Sequence, residues 1–240
     1  MKILLTGAAG FVGRAAVDIL SQDHEVTAFD IRPVVDYDNT VQGDVLDYPT
    51  LEAVMAGHDA VVNTIMAPNG SYSMDGPGFD INVRGMFNLL EAARVCQIQR
   101  FVHTSSGAVH GGYPEDTFLT HDLYPLKAAS SYDLSKLVQE ELARNYQEQH
   151  DLSIACIRPW GIIDSDEMVT TDGHPVDGYY YGSIDRRDVA SALKCALETP
   201  DISYDCFYIF STPGGYKKGD VARTERMLGW EPVYRFDADL

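Results

Sequence analysis

Two side chains suited to proton transfer, Tyr132 and Lys136, stand four residues apart in the segment SYDLSK. Because residues i and i+4 share a helix face, a helix here would place the phenol beside the ammonium group. A free phenol has a pKa near 10 and is a poor base at neutral pH, but a nearby positive charge favours the phenolate. The apolar residues of the same segment fall on roughly the opposite face: Leu134, Leu137, Val138 and Leu142. The pair indicates either acid–base catalysis or two ordinary residues of a helix.

A glycine-rich segment near the N-terminus, TGAAGFVG (6–13), is typical of a dinucleotide-binding loop. Gly7, Gly10 and Gly13 lie between a strand-like run and a helical pattern, where glycine lets the backbone approach a pyrophosphate closely. Their GxxGxxG spacing differs from the commoner GxGxxG. Asp30 ends the next strand-like segment, where a carboxylate can accept hydrogen bonds from both adenosine ribose hydroxyls and repel a 2′-phosphate. The sequence therefore predicts NAD as cofactor. Arg32, two residues further on, would weaken the preference for NAD over NADP.

Strand-like and helix-like hydrophobic patterns alternate along the chain. Strands are predicted at 2–6, 25–30, 40–45, 59–65, 100–106, 152–158 and 205–211. Helices are predicted at 11–20, 50–57, 79–96, 130–149, 186–198 and 220–228. This alternation predicts an α/β fold with a doubly wound (Rossmann-type) parallel sheet. The stretches 66–78 and 159–184 lack periodicity and are expected to form the binding crevice at the strand ends.

The composition argues against several classes of protein. The 240 residues carry a net charge of −18, so we expect no binding to nucleic-acid phosphates. Aspartate outnumbers glutamate 25 to 11, which fits either a surface selected for solubility or a salt-loving host. We expect no membrane span and no leader peptide, and hence a cytoplasmic location. The four cysteines are expected to be reduced thiols, and no metal site is predicted because no His/Cys cluster has zinc-ligand spacing.

Taken together, the motifs resemble the extended short-chain dehydrogenase/reductase family, the NAD-dependent epimerase/dehydratase group. The matching segments follow the family order over nearly the whole chain: TGAAGFVG, Asp30, GDV (43–45), NVRGMFNLLEAA (82–93), FVHTSSGAVHG (101–111), YDLSK (132–136), RPWGI (158–162), RRDVASAL (186–193) and LGWEP (228–232). The short tail is most similar to the uronate dehydrogenase-like branch, although 168–172 lacks the arginine that would hold a substrate carboxylate there. We expect one domain, 1–240, with a dinucleotide-binding core at 1–158 and a reduced C-terminal substrate-binding segment at 159–240.

The resemblance also implies a set of site residues and a homodimer built on the helix that carries Tyr132. The implied catalytic residues are Ser106, Tyr132 and Lys136. The implied NAD contacts are Gly7, Gly10, Phe11, Val12, Gly13, Asp30, Ile31, Asp44, Val45, Ile65, Met66, Ala67, Asn82, Thr104, Ser105, Tyr132, Lys136, Pro159 and Gly161. The implied substrate contacts are Ser71, Ser106, His110, Tyr132, Trp160 and Arg187.

Several of these residues have a structural interpretation beside the functional one. Asp44 either reaches the adenine amino group or is a surface turn acid. His110 replaces the usual family tyrosine and either contacts substrate or makes a structural hydrogen bond. Arg187, or Arg186 beside it, either binds a polar or anionic substrate or forms a surface ion pair. Trp160 either borders the nicotinamide or simply packs.

The predicted function is oxidation of a hydroxyl of a small sugar or sugar acid by an NAD-dependent Ser-Tyr-Lys mechanism. One alternative is an epimerase or dehydratase that retains its NAD, which would show turnover without net NADH. Another is a non-catalytic dinucleotide sensor on the same fold.

Overall fold

A computed structural model describes residues 1–73, 75–180 and 182–236. Its strands within these ranges are β1 (Lys2–Thr6), β2 (Glu25–Asp30), β3 (Thr40–Gln42), β4 (Ala60–Asn63), β5 (Arg100–Thr104), β6 (Ser153–Pro159), β7 (Ile162–Asp164), β8 (Val169–Thr170), β9 (Ile184–Asp185) and β10 (Tyr204–Ile209). Its helices there are α1 (Phe11–Leu20), α2 (Tyr48–Met55), α3 (Gly85–Val95), α4 (Ser131–Gln149), α5 (Arg186–Glu198), α6 (Pro213–Lys218) and α7 (Val221–Leu228). A π-helical turn, Asp80–Arg84, precedes α3.

Seven strands form one parallel sheet in the order β10-β6-β5-β4-β1-β2-β3. The chain builds outward in both directions from the boundary between β1 and β4, so the doubly wound prediction is confirmed. Ligands in such folds bind outside the carboxyl ends of the strands at this switch point. A small second sheet, β8-β7-β9, stands beyond the end of β6. Within the described residues, every helix is too short or too polar to cross a membrane.

Hydrophobic layers cover both faces of the large sheet, because successive side chains of a strand point to opposite sides. Along β1, Ile3 and Leu5 belong to the layer that includes α1 and α5. Leu4 belongs to the other layer, formed with α2, α3 and Ala143 of α4. The strands are thus buried on both sides, as expected for a parallel sheet.

The sequence placed most elements correctly and missed three strands and one helix. The predicted strand at 40–45 already ends at Gln42, and Gly43 lies just outside it. A side chain at Gly43 would begin 2.6 Å from the ring of Phe29, so the backbone here packs directly on that ring. The elements β7, β8, β9 and α6 are too short to show a hydrophobic period.

The long helix α4 buries a polar face rather than its apolar stripe. Its buried residues are Ser135, Lys136, Gln139, Glu140 and Ala143. Leu134 is 43% exposed, and the other leucines of the stripe are only partly buried. The usual rule for an amphipathic helix would predict the reverse. Buried hydrogen bonds and one ion pair satisfy the polar face, and in this way Lys136 reaches the interior at the end of β5.

Candidate active site

The loop from β1 to α1 forms a tight cradle that only glycine permits. Gly7 has φ of +80°, and a Cβ there would lie 2.7 Å from the backbone nitrogen of Ile65. A Cβ at Gly13 would lie 2.0 Å from the carbonyl oxygen of Gly7. Helix α1 begins at Phe11 without a side-chain cap, so its first N–H groups can bind an anion. This cradle fits the pyrophosphate of a dinucleotide.

Asp30 stands at the edge of this cradle, at the end of β2, and is 6% exposed. Its carboxylate accepts hydrogen bonds from the backbone N–H groups of Ala9 (3.0 Å) and Arg32 (2.9 Å). The Arg32 side chain is 63% exposed and its Nε lies 3.4 Å from Asp30 Oδ1. The carboxylate is therefore fixed where an adenosine ribose would lie if the pyrophosphate occupied the cradle.

A cavity of about 1190 Å³ runs along the carboxyl ends of the strands. Most of the residues implied by the family resemblance line it: Gly7, Gly10, Phe11, Val12, Asp30, Ile31, Asp44, Val45, Ile65, Met66, Thr104, Ser105, Ser106, Tyr132, Lys136, Pro159, Trp160 and Gly161. The structure thus places the glycine loop, Asp30 and the group Ser106, Tyr132 and Lys136 on the wall of one cavity.

Ser106, Tyr132 and Lys136 meet at the end of β5. The Ser106 hydroxyl lies close enough to the Tyr132 phenol to affect its pKa, and Ser106 Oγ accepts a hydrogen bond from the N–H of Ala108 (3.1 Å). Lys136 is 2% exposed and donates from Nζ to the carbonyl oxygen of Thr104 (3.0 Å). The three groups are held by β5 and α4, so the site rests on rigid elements.

Burial shifts the protonation of both members of the pair. It raises the pKa of Tyr132 to about 12, against the opposing effect of the Ser106 hydroxyl. It lowers the pKa of Lys136 to about 8, against the opposing effect of the Glu140 carboxylate. In the protein alone, the phenol is therefore neutral at pH 7.

A buried ion pair joins helix α4 to β6. Arg158 donates from Nη2 to Glu140 Oε2 (2.7 Å) and from Nε to Oε1 (2.9 Å), and both side chains are almost fully buried. Burial alone would raise the pKa of Glu140, but Arg158 holds it below the usual value. The hydroxyl of Ser105 donates to the same carboxylate (2.6 Å). Cys156 and Cys206 lie beside it on neighbouring strands.

Asn82 and Ala67 do not line the cavity, although both were predicted to contact NAD. Asn82 is fully buried, and its Oδ1 accepts a hydrogen bond from the N–H of Ala67 (2.8 Å). Its Nδ2 donates to the hydroxyls of Tyr72 (2.8 Å) and Ser135 (2.9 Å). The ring of Tyr72 lies edge-on to Tyr132, with centroids 5.5 Å apart. Asn82 therefore holds the loop after β4 against α4.

His110 was predicted either to contact substrate or to make a structural hydrogen bond, and in the structure it makes hydrogen bonds in the interior and does not line the cavity. It is 2% exposed, and its ring nitrogens pair with the hydroxyl of Tyr208 and the carbonyl oxygen of Leu123. Burial, aided by the positive charge of Arg158, lowers the pKa of His110 to about 4. The imidazole is therefore neutral at physiological pH and faces the interior.

Arg187 was also predicted to meet substrate, and it lies outside the cavity wall. Its guanidinium forms ion pairs with Asp185 (2.8 Å) and Asp166 (2.6 Å) and stacks over the ring of Tyr234. The neighbouring Arg186 pairs with Asp164 (2.7 Å). These ion pairs fasten α5 to the small sheet.

Ser71 and Gly13 likewise do not line the cavity. Ser71 donates its hydroxyl to the carbonyl oxygen of Pro68, which fixes a turn in the loop after β4. Gly13 packs α1 against the loop, as the close approach to Gly7 requires.

One group of cavity residues escaped sequence reasoning. The hairpin that contains β7 and β8 contributes Thr170, Thr171, Asp172 and His174, and Tyr180 follows it. The amide of Asn69, in the loop after β4, donates to the carboxylate of Asp172. Only the lack of periodicity in 66–78 and 159–184 had marked these segments as crevice loops.

The comparisons with known proteins agree with this geometry. The family model described as "NAD dependent epimerase/dehydratase family" matches residues 3–163. L-arabinose 1-dehydrogenase (NAD(P)(+)) of Haloferax volcanii is 32% identical over 178 residues, 70% of this chain and 69% of that protein. dTDP-glucose 4,6-dehydratase of Streptomyces niveus is 30% identical over 97% of this chain and 80% of that protein.

A solved structure of similar fold is a mutant uronate dehydrogenase from Agrobacterium tumefaciens in complex with NAD. It is 25% identical, has a TM-score of 0.80, and matches 98% of this chain and 85% of that chain. The glycine cradle, Asp30 and the family match lead to one conclusion. The chain belongs to the NAD-dependent epimerase/dehydratase family and is an NAD-dependent enzyme of the short-chain dehydrogenase/reductase type.

Proposed function

We propose that the protein oxidises a hydroxyl group of a small sugar or sugar acid with NAD, using Ser106, Tyr132 and Lys136. The observation that carries the proposal is that Ser106 and Tyr132 lie side by side on the wall of the cavity, with Lys136 buried at the same strand end. In this proposal residues 159–240 form the substrate-binding segment.

The three residues have distinct tasks. Tyr132 removes the proton from the substrate hydroxyl, and Ser106 donates a hydrogen bond to the same oxygen and orients it. Lys136 supplies a positive charge close to both and anchors the cofactor ribose. Bound NAD supplies the hydride acceptor. Because burial raises the pKa of Tyr132 to about 12 in the protein alone, the positive charge of the oxidised cofactor is needed to favour the phenolate.

The test is a panel of aldoses, uronates and nucleotide sugars, each with NAD and with NADP, read by the absorbance of the reduced cofactor. We expect NAD reduction with at least one free sugar and its loss in Tyr132→Phe. Tyr146→Phe is a matched control, because Tyr146 lies on the same helix and its hydroxyl donates to Glu91 (3.0 Å), away from the cavity. Equal activity in wild type and Tyr132→Phe would refute the proposal.

The second candidate is an epimerase or dehydratase that retains its NAD. The similarity to dTDP-glucose 4,6-dehydratase across nearly the whole chain favours it. Substrate conversion without accumulation of reduced cofactor in the same panel would establish this reaction in place of the first.

We also propose a homodimer through α3 and α4. Phe87, Val95 and Leu134 are each more than 40% exposed on these helices, and the ring of Phe87 contacts Tyr146 of α4 edge-on. Light scattering is expected to give twice the monomer mass of 26.5 kDa. Phe87→Glu combined with Leu134→Glu is expected to give monomers, and a monomeric wild type would refute the interface.

A further inference from the structure

The hairpin of β7 and β8 covers the catalytic half of the cavity rather than the adenosine half. Asn69, which follows β4, donates its side-chain amide to Asp172 of the hairpin. Tyr180, which follows the hairpin, lies over Gly161 at the end of β6, where a side chain would overlap its hydroxyl. Since β5 lies between β4 and β6, these contacts place the hairpin across the end of β5, where Ser106 stands.

Two carboxylates, those of Asp133 and Asp172, lie at this half of the cavity. Asp133 lines it, with its carboxylate held by the hydroxyl of Ser130 (2.7 Å) and the N–H of Ala129 (3.0 Å). Asp172 is exposed to the cavity and bonded through Oδ2 to Asn69. Its Oδ1 makes no hydrogen bond to any residue in the described ranges, so it remains available to a ligand.

Positive charge is scarce on the same wall. Among the described lining residues, the groups able to carry it are Arg32, Lys136 and His174. Arg32 stands beside Asp30, at the adenosine end, and Lys136 is buried beneath Tyr132. His174 lies on the hairpin two residues from Asp172.

Two arginines that contact the hairpin segment are already paired with acids. Arg186 pairs with Asp164, and Arg187 pairs with Asp185 and Asp166. Neither lies on the described cavity wall. A carboxylate or phosphate of a substrate would thus meet Asp172 without a guanidinium to neutralise it.

We propose that the substrate is an uncharged sugar, which presents hydroxyl groups and no carboxylate or phosphate to the hairpin, and that Asp172 sets this preference. The inference rests on the proposed dehydrogenase function and narrows its substrate class. Asp172 Oδ1 accepts a hydrogen bond from a sugar hydroxyl, whereas an anionic group in the same position is repelled by the like charge.

The experiment compares sugars that differ only at one carbon: galactose with galacturonate, and glucose with glucuronate and glucose 6-phosphate. We expect kcat/KM with NAD to be at least about tenfold higher for each neutral sugar than for its anionic counterpart, as like charges at close range require. Asp172→Asn is expected to raise kcat/KM for the uronates at least about fivefold and to narrow this gap.

Asp177→Asn is the matched control, because Asp177 is an exposed carboxylate of the same segment and does not line the cavity. It is expected to leave the selectivity unchanged. An equal gain in Asp177→Asn would overturn the role of Asp172, since the effect would then come from total charge.

The remaining outcomes separate the inference from the function on which it rests. A wild type that prefers a uronate or the sugar phosphate overturns the inference while the dehydrogenase proposal stands. If that preference is lost in His174→Gln, the imidazole rather than Asp172 determines selectivity. Conversion of sugars without any reduction of NAD, or no conversion at all, overturns both.

Discussion

Replacing Lys136 with methionine is expected to make the protein more stable and inactive. Lys136 is fully enclosed, and burial lowers its pKa from 10.5 to about 8. A pKa difference of one unit corresponds to about 1.4 kcal/mol, so the folded state holds the ammonium group at a cost of about 3 kcal/mol. Methionine is of similar length and carries no charge. The carbonyl of Thr104 loses its donor, a loss of about 1 kcal/mol, which leaves a net gain of about 2 kcal/mol at pH 7.

The effect has a definite pH dependence. The folded pKa of about 8 lies below the unfolded value of 10.5, so between these pH values the unfolded state binds more protons than the folded state. The free energy of unfolding of the wild type therefore rises with pH in this window. The methionine variant lacks this titratable group, so its free energy of unfolding does not rise with pH for this reason. The difference in the free energy of unfolding between the two proteins should have its full size below pH 8. It should decrease as the pH approaches 10.5.

Urea unfolding followed by tryptophan fluorescence, at several pH values from 7 to 10, measures both effects. Lys217→Met is the matched control, because Lys217 is exposed, and it is expected to change the free energy of unfolding by less than about 0.5 kcal/mol. Two results would contradict this reasoning: a Lys136→Met protein that is less stable than the wild type, or a stability difference that does not vary with pH. Either would show that burial of the Lys136 ammonium group does not destabilise the folded protein.

Three further substitutions test the remaining parts of the site. Tyr132→Phe should lower kcat roughly 100- to 10,000-fold, the usual contribution of a positioned acid or base, while calorimetry still detects NAD binding; loss of binding would indicate a structural role. Glu140→Gln leaves Arg158 buried without its partner and should reduce the free energy of unfolding by about 3–5 kcal/mol. Glu141→Gln, on the same helix but partly exposed, should cost less than about 1 kcal/mol, and equal losses would contradict the assigned ion pair. Asp30→Ala should weaken NAD binding roughly 10- to 100-fold, because a hydrogen-bonding carboxylate is lost, and should raise the ratio of kcat/KM for NADP over NAD; an unchanged ratio would argue against the position assigned to the ribose.

The sequence predicted the sheet and the glycine cradle because both depend on local patterns. A buried parallel strand is a short apolar run, and the loop needs glycine where a side chain would collide, as at Gly13. Asp30 could be assigned because it is the last residue of β2. These features need no knowledge of distant residues.

The features that sequence reasoning missed depend on contacts between distant segments. His110 and Arg187 look like free polar groups in the sequence, and only the fold supplies Tyr208 and Asp166 as their partners. The polar face of α4 is buried because Arg158 arrives from β6 to pair with Glu140. The contact between Asn69 and Asp172 joins two segments about 100 residues apart, and neither has a periodic pattern.

The most direct measurement of the proposed function is the amount of NADH formed for each molecule of neutral sugar consumed. Oxidation through Tyr132 predicts one NADH per sugar with the wild type, and NAD binding without NADH formation with Tyr132→Phe. Consumption of the sugar with no NADH, or an unchanged rate in Tyr132→Phe, would contradict it.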